Sequence, residues 1–271
     1  MADFNIIDGP KKSPWLGVLY GPGGCGKSWL CSHAPEPFYI PVEPGVDLVN
    51  ARKIDHIPEN FDVLLDMMRF ALKNLGDSKT VVVDSLGFVE ALIYADVLAK
   101  NPMTSDGKDA KPATSISDYG FGRGYAKALD YWKRIIAACD AFNKRGANVI
   151  LITHSHYKNL QTDGGDSYKY IDMALQSFGD YSVPELLKRR ADWVYYMDSK
   201  VQTRTVRGQF GGTKTIASAG TEPEVAVHTR ATSQFYAKVR TLDESAIPDY
   251  YLLDRATIVQ DSTKIFNDLE R

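Results

Sequence analysis

The 271-residue chain is short of cysteine, of net charge and of long apolar runs, and each shortage removes a class of protein. Its three cysteines, Cys25, Cys31 and Cys139, are too few and too irregularly spaced for a disulfide framework, which fits a reducing compartment. Cys25, Cys31 and His33 lie close together, yet their spacing matches no zinc pattern, and Cys31 and His33 read as helix residues instead. Net charge is −2, from 32 basic and 34 acidic residues, so a wholly basic, histone-like binder is excluded. Any nucleic-acid surface has to be a local patch. No apolar run approaches the length of a membrane span, and "MADFNIIDGPKKSPW" has no signal-peptide pattern. The expectation is a cytoplasmic protein with no membrane partner. Repeats of fixed period and low-complexity tracts are missing too. An apolar fraction of 44% and a charged fraction of 24% suit an ordinary globular domain with a sizeable core.

What is present is an alternation of strand and helix signals. "WLGVLY" (15–20), "FYIPVE" (38–43), "TVVVDS" (80–85) and "NVILITH" (148–154) are short apolar runs of the kind that parallel sheets bury on both faces. Pro41 inside the second suggests an edge or a bulge. Between them, "NFDVLLDMMRFALKNLG" places Phe61, Leu64, Leu65, Met68 and Leu72 on one helical face and stops at Gly76. Further helices are expected over about 26–33, 88–99 and 125–143. Residues 100–124 read as a long mobile loop, and 157–187 as a loop followed by a helix. "ADWVYYM" (191–197) is one more strand, after which alternating stretches to about residue 253 suggest antiparallel strands. The fold class is therefore α/β, with a mainly parallel sheet flanked by helices. Residues 1–14 form an N-terminal extension, and 15–271 form one domain whose 199–253 part is β-rich.

One short stretch carries most of the chemistry. "LYGPGGCGKSWL" (19–30) contains G-x-x-x-x-G-K-[ST], the phosphate-binding P-loop, between an apolar strand and a helix as that motif requires. Gly21, Pro22, Gly23, Gly24, Cys25, Gly26, Lys27, Ser28 and Trp29 are the nucleotide-binding candidates. Glycines let backbone amides approach the phosphates, Lys27 reaches the β/γ-phosphates, and the Ser28 hydroxyl binds Mg²⁺. Asp84 closes a run of three valines, where a second carboxylate for the metal is expected; its plainer role is a helix N-cap, which Ser85 would fill equally well. Glu43 ends the second strand and suits activation of water, or is a surface residue of the turn "VEPG"; spacing alone leaves both open. His154 ends the fourth strand and, beside the P-loop, suits contact with a γ-phosphate; its plainer role is a hydrogen-bonded histidine at a strand end.

With those residues in view, the chain resembles the RecA-like ATPases. Closer still, it resembles the small phage nucleotide-binding ATPases that keep the RecA core and act in single-strand annealing and recombination. "GPGGCGKS", "FYIPVEPGVDLVNARKI", "TVVVDSL" and "NVILITHSHY" carry the likeness to RecA, and "DYGFGRGY", "DGGDSYKYIDMAL" and "RRADWVYYM" the likeness to the phage group, over roughly residues 15–253. The resemblance implies ATP and Mg²⁺ as cofactors, Glu43 as the water-activating glutamate and His154 as the γ-phosphate sensor, a place where RecA has Gln. It also implies a homo-oligomer, ring or filament, in which a neighbour supplies a cation to the nucleotide. Lys238 and Arg240 in "YAKVR" resemble that pair, although on spacing alone a half-exposed strand with a solvated basic face fits them equally, and Arg123 is a weaker candidate. The implied partner is single-stranded DNA, with room for a single-stranded-DNA-binding protein.

Charge gives this partner partial support. Between residues 199 and 240, seven basic residues, Arg204, Arg207 and Lys214 among them, outnumber Glu222 and Glu224 by five. Lys188, Arg189 and Arg190 add to the patch. The same cations would also suit solvated edge strands. Two other classes fit the P-loop: a helicase loader or similar partner-remodelling ATPase, and a P-loop kinase, against which the absence of a lid motif counts.

Overall fold

The computed structural model describes residues 6, 8–9, 12–105, 110–161, 164–200, 203–207, 213–217, 224–241, 243–253 and 258–270. In chain order the elements are β1 (Leu16–Gly21), α1 (Lys27–Cys31), β2 (Pro37–Pro41), β3 (Arg52–Lys53), α2 (Phe61–Lys73), β4 (Thr80–Asp84), α3 (Leu86–Lys100) and α4 (Arg123–Lys144). They continue with β5 (Asn148–Gln161), β6 (Ser167–Met173), α5 (Val183–Arg190), β7 (Trp193–Lys200), β8 (Thr203–Arg207) and β9 (Thr213–Ala217). The last are β10 (Glu224–His228), β11 (Lys238–Val239), β12 (Tyr250–Leu253) and α6 (Ile258–Leu269).

The main sheet has the order β12–β10–β7–β1–β5–β4–β2–β3, with β11 also on β7 and β6 also on β5. Strands β7, β1, β5, β4, β2 and β3 run parallel, and β10, β11, β12 and β6 pair antiparallel. This is the α/β architecture that the strand–helix alternation implies. The apolar runs are continuous because both faces are covered. Leu16, Val18, Tyr20, Val81, Val83, Val149 and Leu151 pack against α2, α3, α4 and α5, while Leu19, Val82, Ile150 and Ile152 pack against α1 and α6. Each fully buried Val or Leu adds about 1.5–3 kcal/mol. Helix α2 starts at Asn60, whose side chain accepts from the Val63 amide at 2.9 Å, and buries Phe61, Leu64, Leu65, Met67, Met68 and Ala71.

Several local expectations change. Strand β2 stops at Pro41, short of Glu43, and the edge position falls to β3. Part of 100–124 is packed and not a free loop. Ser115 and Asp118 cap a 3₁₀ turn over Ile116–Tyr119, both ends of that turn are buried, and the Tyr119 hydroxyl donates to the Asn101 carbonyl at 2.6 Å. The largest change is at β5, which does not end at His154 but runs on to Gln161 and forms a hairpin with β6 where a loop was expected. Helix α6 has no counterpart in the sequence reading. Strands β8 and β9 form a separate two-stranded ladder, and the side chains of Arg204, Arg207 and Lys214 lie outside the described residues.

Candidate functional site

Parallel strands in register deliver their C-terminal ends to one sheet edge. Gly21 is level with His154, Ile152 with Asp84, and Asp84 with Pro41. Because β5 lies between β1 and β4, His154 emerges between the P-loop and Asp84. The Val42 amide donates to the Asp84 carbonyl at 2.7 Å, so the chain leaves β2 beside Asp84 and presents Glu43 next.

The P-loop connects β1 to α1 under tight steric control. A Cβ on Gly21 would lie 2.0 Å from the Met197 carbonyl oxygen, and Gly26 has φ +95°, so both positions need glycine. Pro22, Gly23 and Gly24 form the exposed rim, while Cys25 is buried, and burial pushes its thiol up despite the nearby Lys27. Lys27 is buried as well. Its ammonium lies inside the loop, donating to the carbonyls of Gly21 at 3.0 Å and Pro22 at 2.7 Å. Helix α1 has five residues and no side-chain cap, so loop amides and Lys27 supply the positive field more than a helix dipole does. Tyr39, on β2, holds α1 to the sheet by donating to the Ser28 carbonyl at 2.6 Å. Trp29 points outward, 38% exposed, against the His33 ring.

Asp84 is 2% exposed. Burial pushes its carboxyl up to about 6; a hydrogen bond with Ser28 opposes the rise, the Glu43 charge adds to it and Lys27 subtracts. Its Oδ2 has no hydrogen-bond partner among the described residues, and neither have Ser85 Oγ and Thr153 Oγ1 at the same strand ends. An unpaired buried carboxylate oxygen beside a serine hydroxyl is a hard-oxygen donor set that fits Mg²⁺. No cluster of three His, Cys, Asp or Glu side chains able to hold a metal occurs among the described residues. Ser85 occupies the N-cap position of α3, without a side-chain cap bond, which leaves Asp84 to face the loop.

His154 is half-buried. Its ring carbon Cε1 lies 3.9 Å from where a Cβ on Gly23 would be, so the imidazole faces the P-loop. Burial first, and Lys27 second, hold it below the ordinary imidazole value of 6.5, against the pull of Glu43, so it is neutral at pH 7. Glu43, partly exposed, acts electrostatically on both Asp84 and His154. Lys27, Ser28, Asp84, Glu43 and His154 thus converge on one edge.

The other candidates lie elsewhere. Lys238 pairs with Val194, which is level with Val18, and the Arg240 amide donates to the Asp192 carbonyl, level with Leu16. At about 3.3 Å per residue these positions are roughly 10 and 16 Å below Gly21 along the strands. Lys188 is buried and paired with Asp172 and Glu185, and Arg190 pairs with Asp140, whereas Arg189 is exposed. Arg123 donates to the Tyr119 carbonyl at 3.0 Å. Two contributors escaped sequence reasoning. Tyr39 looked like ordinary strand filling, and Thr153 was hidden by its neighbour His154.

The family profile described as an AAA domain matches residues 13–241. The chain belongs to the AAA domain family. With its P-loop, Asp84 and strand order, this AAA domain is a P-loop ATPase. A search of curated proteins finds no match. Among solved structures, it is similar to a KaiC-like protein from the hyperthermophilic archaeon Pyrococcus horikoshii OT3, at 12% identity and a TM-score of 0.40. That alignment covers 89% of this chain and 86% of the other, and at such a score it carries no argument about function. No helix among the described residues is long and apolar enough to cross a membrane.

Proposed function

We propose that this AAA domain is an ATP- and Mg²⁺-dependent ATPase that oligomerises and binds single-stranded DNA in recombination or strand annealing of the phage type. Lys27 and the loop amides hold the phosphates, and Ser28 and Asp84 hold Mg²⁺, which when bound would neutralise charge developing on the β/γ-bridge. Glu43 takes the proton of the attacking water. His154, neutral and half-buried beside Gly23, donates one hydrogen bond towards the terminal phosphate.

The observation that carries the DNA reading is the continuity of β5. Its backbone runs unbroken from His154 into the hairpin with β6, and the His154 carbonyl itself accepts from the Ala174 amide at 2.8 Å. A shift of His154 on phosphate loss is therefore transmitted along a hydrogen-bonded ladder. Lys238 and Arg240 are too far from their own P-loop to reach its nucleotide, so any contribution they make to hydrolysis comes from a neighbouring copy.

Steady-state ATP hydrolysis, with and without a long single-stranded DNA and with Lys27→Ala as the blank, tests this reading. Stimulation of the wild type that is absent from the variant is the expected result. Turnover indifferent to DNA, with no DNA retained by the protein, would overturn it in favour of an ATPase that remodels a protein partner.

A further inference from the structure

A second concavity opens at the foot of the sheet, where the parallel strands begin. Its volume is about 770 Å³, large enough for a small-molecule ligand. Leu16 is level with Val149, and Gly17 with Trp193, so the cleft spans the starts of β5, β1 and β7. At about 3.3 Å per residue, Leu16 lies roughly 16 Å along β1 from Gly21, so the cleft is separate from the P-loop.

Part of its polarity has a structural cause. The Trp15 amide donates to Asn148 Oδ1 at 3.1 Å, and the Leu16 amide to Asp192 Oδ2 at 2.9 Å. Successive strand amides point to opposite sides, so Asn148 and Asp192 flank Trp15 from β5 and β7. At the end of α4, the Asn143 side chain donates to the Trp15 carbonyl at 3.2 Å. These bonds complete the backbone of β1 and need no ligand. They leave Asn148 Nδ2 without a bond among the described residues.

The cations of the walls have no such cause. Lys12, Lys79, Arg190 and Arg240 line the cleft with two carboxylates, Asp192 and Glu270, in a chain whose net charge is −2. Arg190 is paired with Asp140 on α4. Lys12 donates to the Glu270 carbonyl at 2.8 Å, which ties the segment before β1 to the end of α6 but neutralises no charge. The side chains of Lys79 and Arg240 form no hydrogen bond or ion pair among the described residues. Asp192 is committed to the Leu16 amide, and the Glu270 carboxylate pairs with none of the four cations. The ends of α4 and α6 also reach the cleft, but their carbonyls are in use. Gly146 donates to Asn143 at 3.0 Å, Ala147 donates to Phe142 at 3.1 Å, and Lys12 takes Glu270. Like charges gathered on a concave surface repel one another, and a bound anion relieves that repulsion.

We propose that this cleft binds a small, multiply charged oxyanion ligand, a phosphate ester or a polycarboxylate. Lys79 and Arg240 hold its oxygens, Lys12 adds a third cation, and Asn148 Nδ2 donates from the floor. Arg190, held by Asp140, shapes the wall. The site goes beyond the proposed function and does not depend on DNA binding. Because β1, β5, β7, α4 and α6 meet there, an occupied cleft stabilises the fold.

Isothermal titration calorimetry of full-length Lys27→Ala, whose P-loop is disabled, tests the cleft. Pyrophosphate and citrate are titrated separately at low, constant ionic strength. One equivalent per chain is expected, and the same probe should raise the melting temperature. Tighter pyrophosphate assigns a phosphate ester, and tighter citrate a polycarboxylate. Adding Lys79→Glu or Arg240→Glu should each weaken binding at least about tenfold, because each removes a charge-assisted contact. Lys133→Glu on α4 makes the same change of charge and should have no effect. Melting without probe shows that each variant folds, and Lys79→Gln and Arg240→Gln replace any that does not. No heat from either probe would overturn the proposal, and so would binding that survives Lys79→Glu or Lys79→Gln. Displacement of pyrophosphate by oligothymidylate would make the cleft part of a nucleic-acid path and overturn the small-ligand assignment. Each of these failures leaves the ATPase reading untouched, since that reading is measured with Lys27 intact.

Discussion

Asp84→Asn should stabilise the nucleotide-free protein while destroying its Mg²⁺-dependent activity. The carboxylate is 2% exposed, and its Oδ2 lacks a partner among the described residues. Burial raises it from the ordinary 3.8 to about 6 even though Ser28 bonds to it. A carboxyl whose folded value is raised costs stability once it ionises. Below about pH 4 both folded and unfolded chains are protonated and the cost vanishes. It grows between about 4 and 6, and is complete above 6. The interval corresponds to about 3 kcal/mol at pH 7.5, an upper figure because asparagine is buried too. Asparagine keeps the shape and one oxygen for Ser28 but carries no charge. In EDTA at pH 7.5 the variant should therefore melt several degrees higher, at about 2–4 °C per kcal/mol, and the gain should shrink towards pH 4. Adding Mg²⁺ with ATP should raise the melting temperature of the wild type and leave the variant nearly unmoved. Scanning calorimetry across pH, with and without Mg²⁺, reads both effects. A variant less stable than wild type at pH 7.5 in EDTA would refute the reasoning, because Asp84 Oδ2 would then have a partner that the geometry lacks.

Three further outcomes are expected. Glu43→Gln should cut ATP turnover by about 100-fold or more while fluorescent-ATP affinity stays at the wild-type level, since only proton removal from water is lost; turnover near wild type would shift that role to another group. Gly21→Ala should cost about 1–3 kcal/mol in urea unfolding and weaken nucleotide binding, because its Cβ would lie 2.0 Å from the Met197 carbonyl oxygen and force β1 from β7. Asp172→Ala leaves Lys188 buried with only Glu185, so a loss of about 3 kcal/mol is expected. Although burial raises the Asp172 carboxyl, its bond to Lys158 and the charges of Lys188 and Lys158 hold it below the usual range. Its contribution is thus present above about pH 4 and lost as pH falls through the depressed value, a step that acid unfolding of the variant should lack.

The sequence carried the centre of the fold plainly and its outskirts poorly. Runs such as "TVVVD" and "NVILIT" are buried on both faces, and local apolarity alone marks them. The P-loop, Asp84 and His154 were legible because strand ends in a parallel sheet share one edge. Beyond His154 the signal fails. "SHYKNLQ" is polar and largely solvent-facing, and the hairpin is held by backbone bonds to β6 that composition does not record. Residues 164–166 fall between β5 and β6, and "DGGDS" reads as loop because neither flank is apolar. Helix α6 carries Ile265, Phe266 and Leu269 spaced for one buried face, a signal short enough to be masked by the alternating β-rich part before it.

On the proposed function, one protein couples its nucleotide site to a grip on a nucleic-acid strand. Binding linkage tests it most directly, because a phosphate that strengthens DNA binding must itself be held more tightly when DNA is present. Oligothymidylate affinity should be measured with a non-hydrolysable ATP analogue and again with ADP, in wild type and in Lys27→Ala. At least about fivefold tighter binding is expected in the triphosphate state, a difference abolished in Lys27→Ala. Equal affinity with the two nucleotides in the wild type would contradict it.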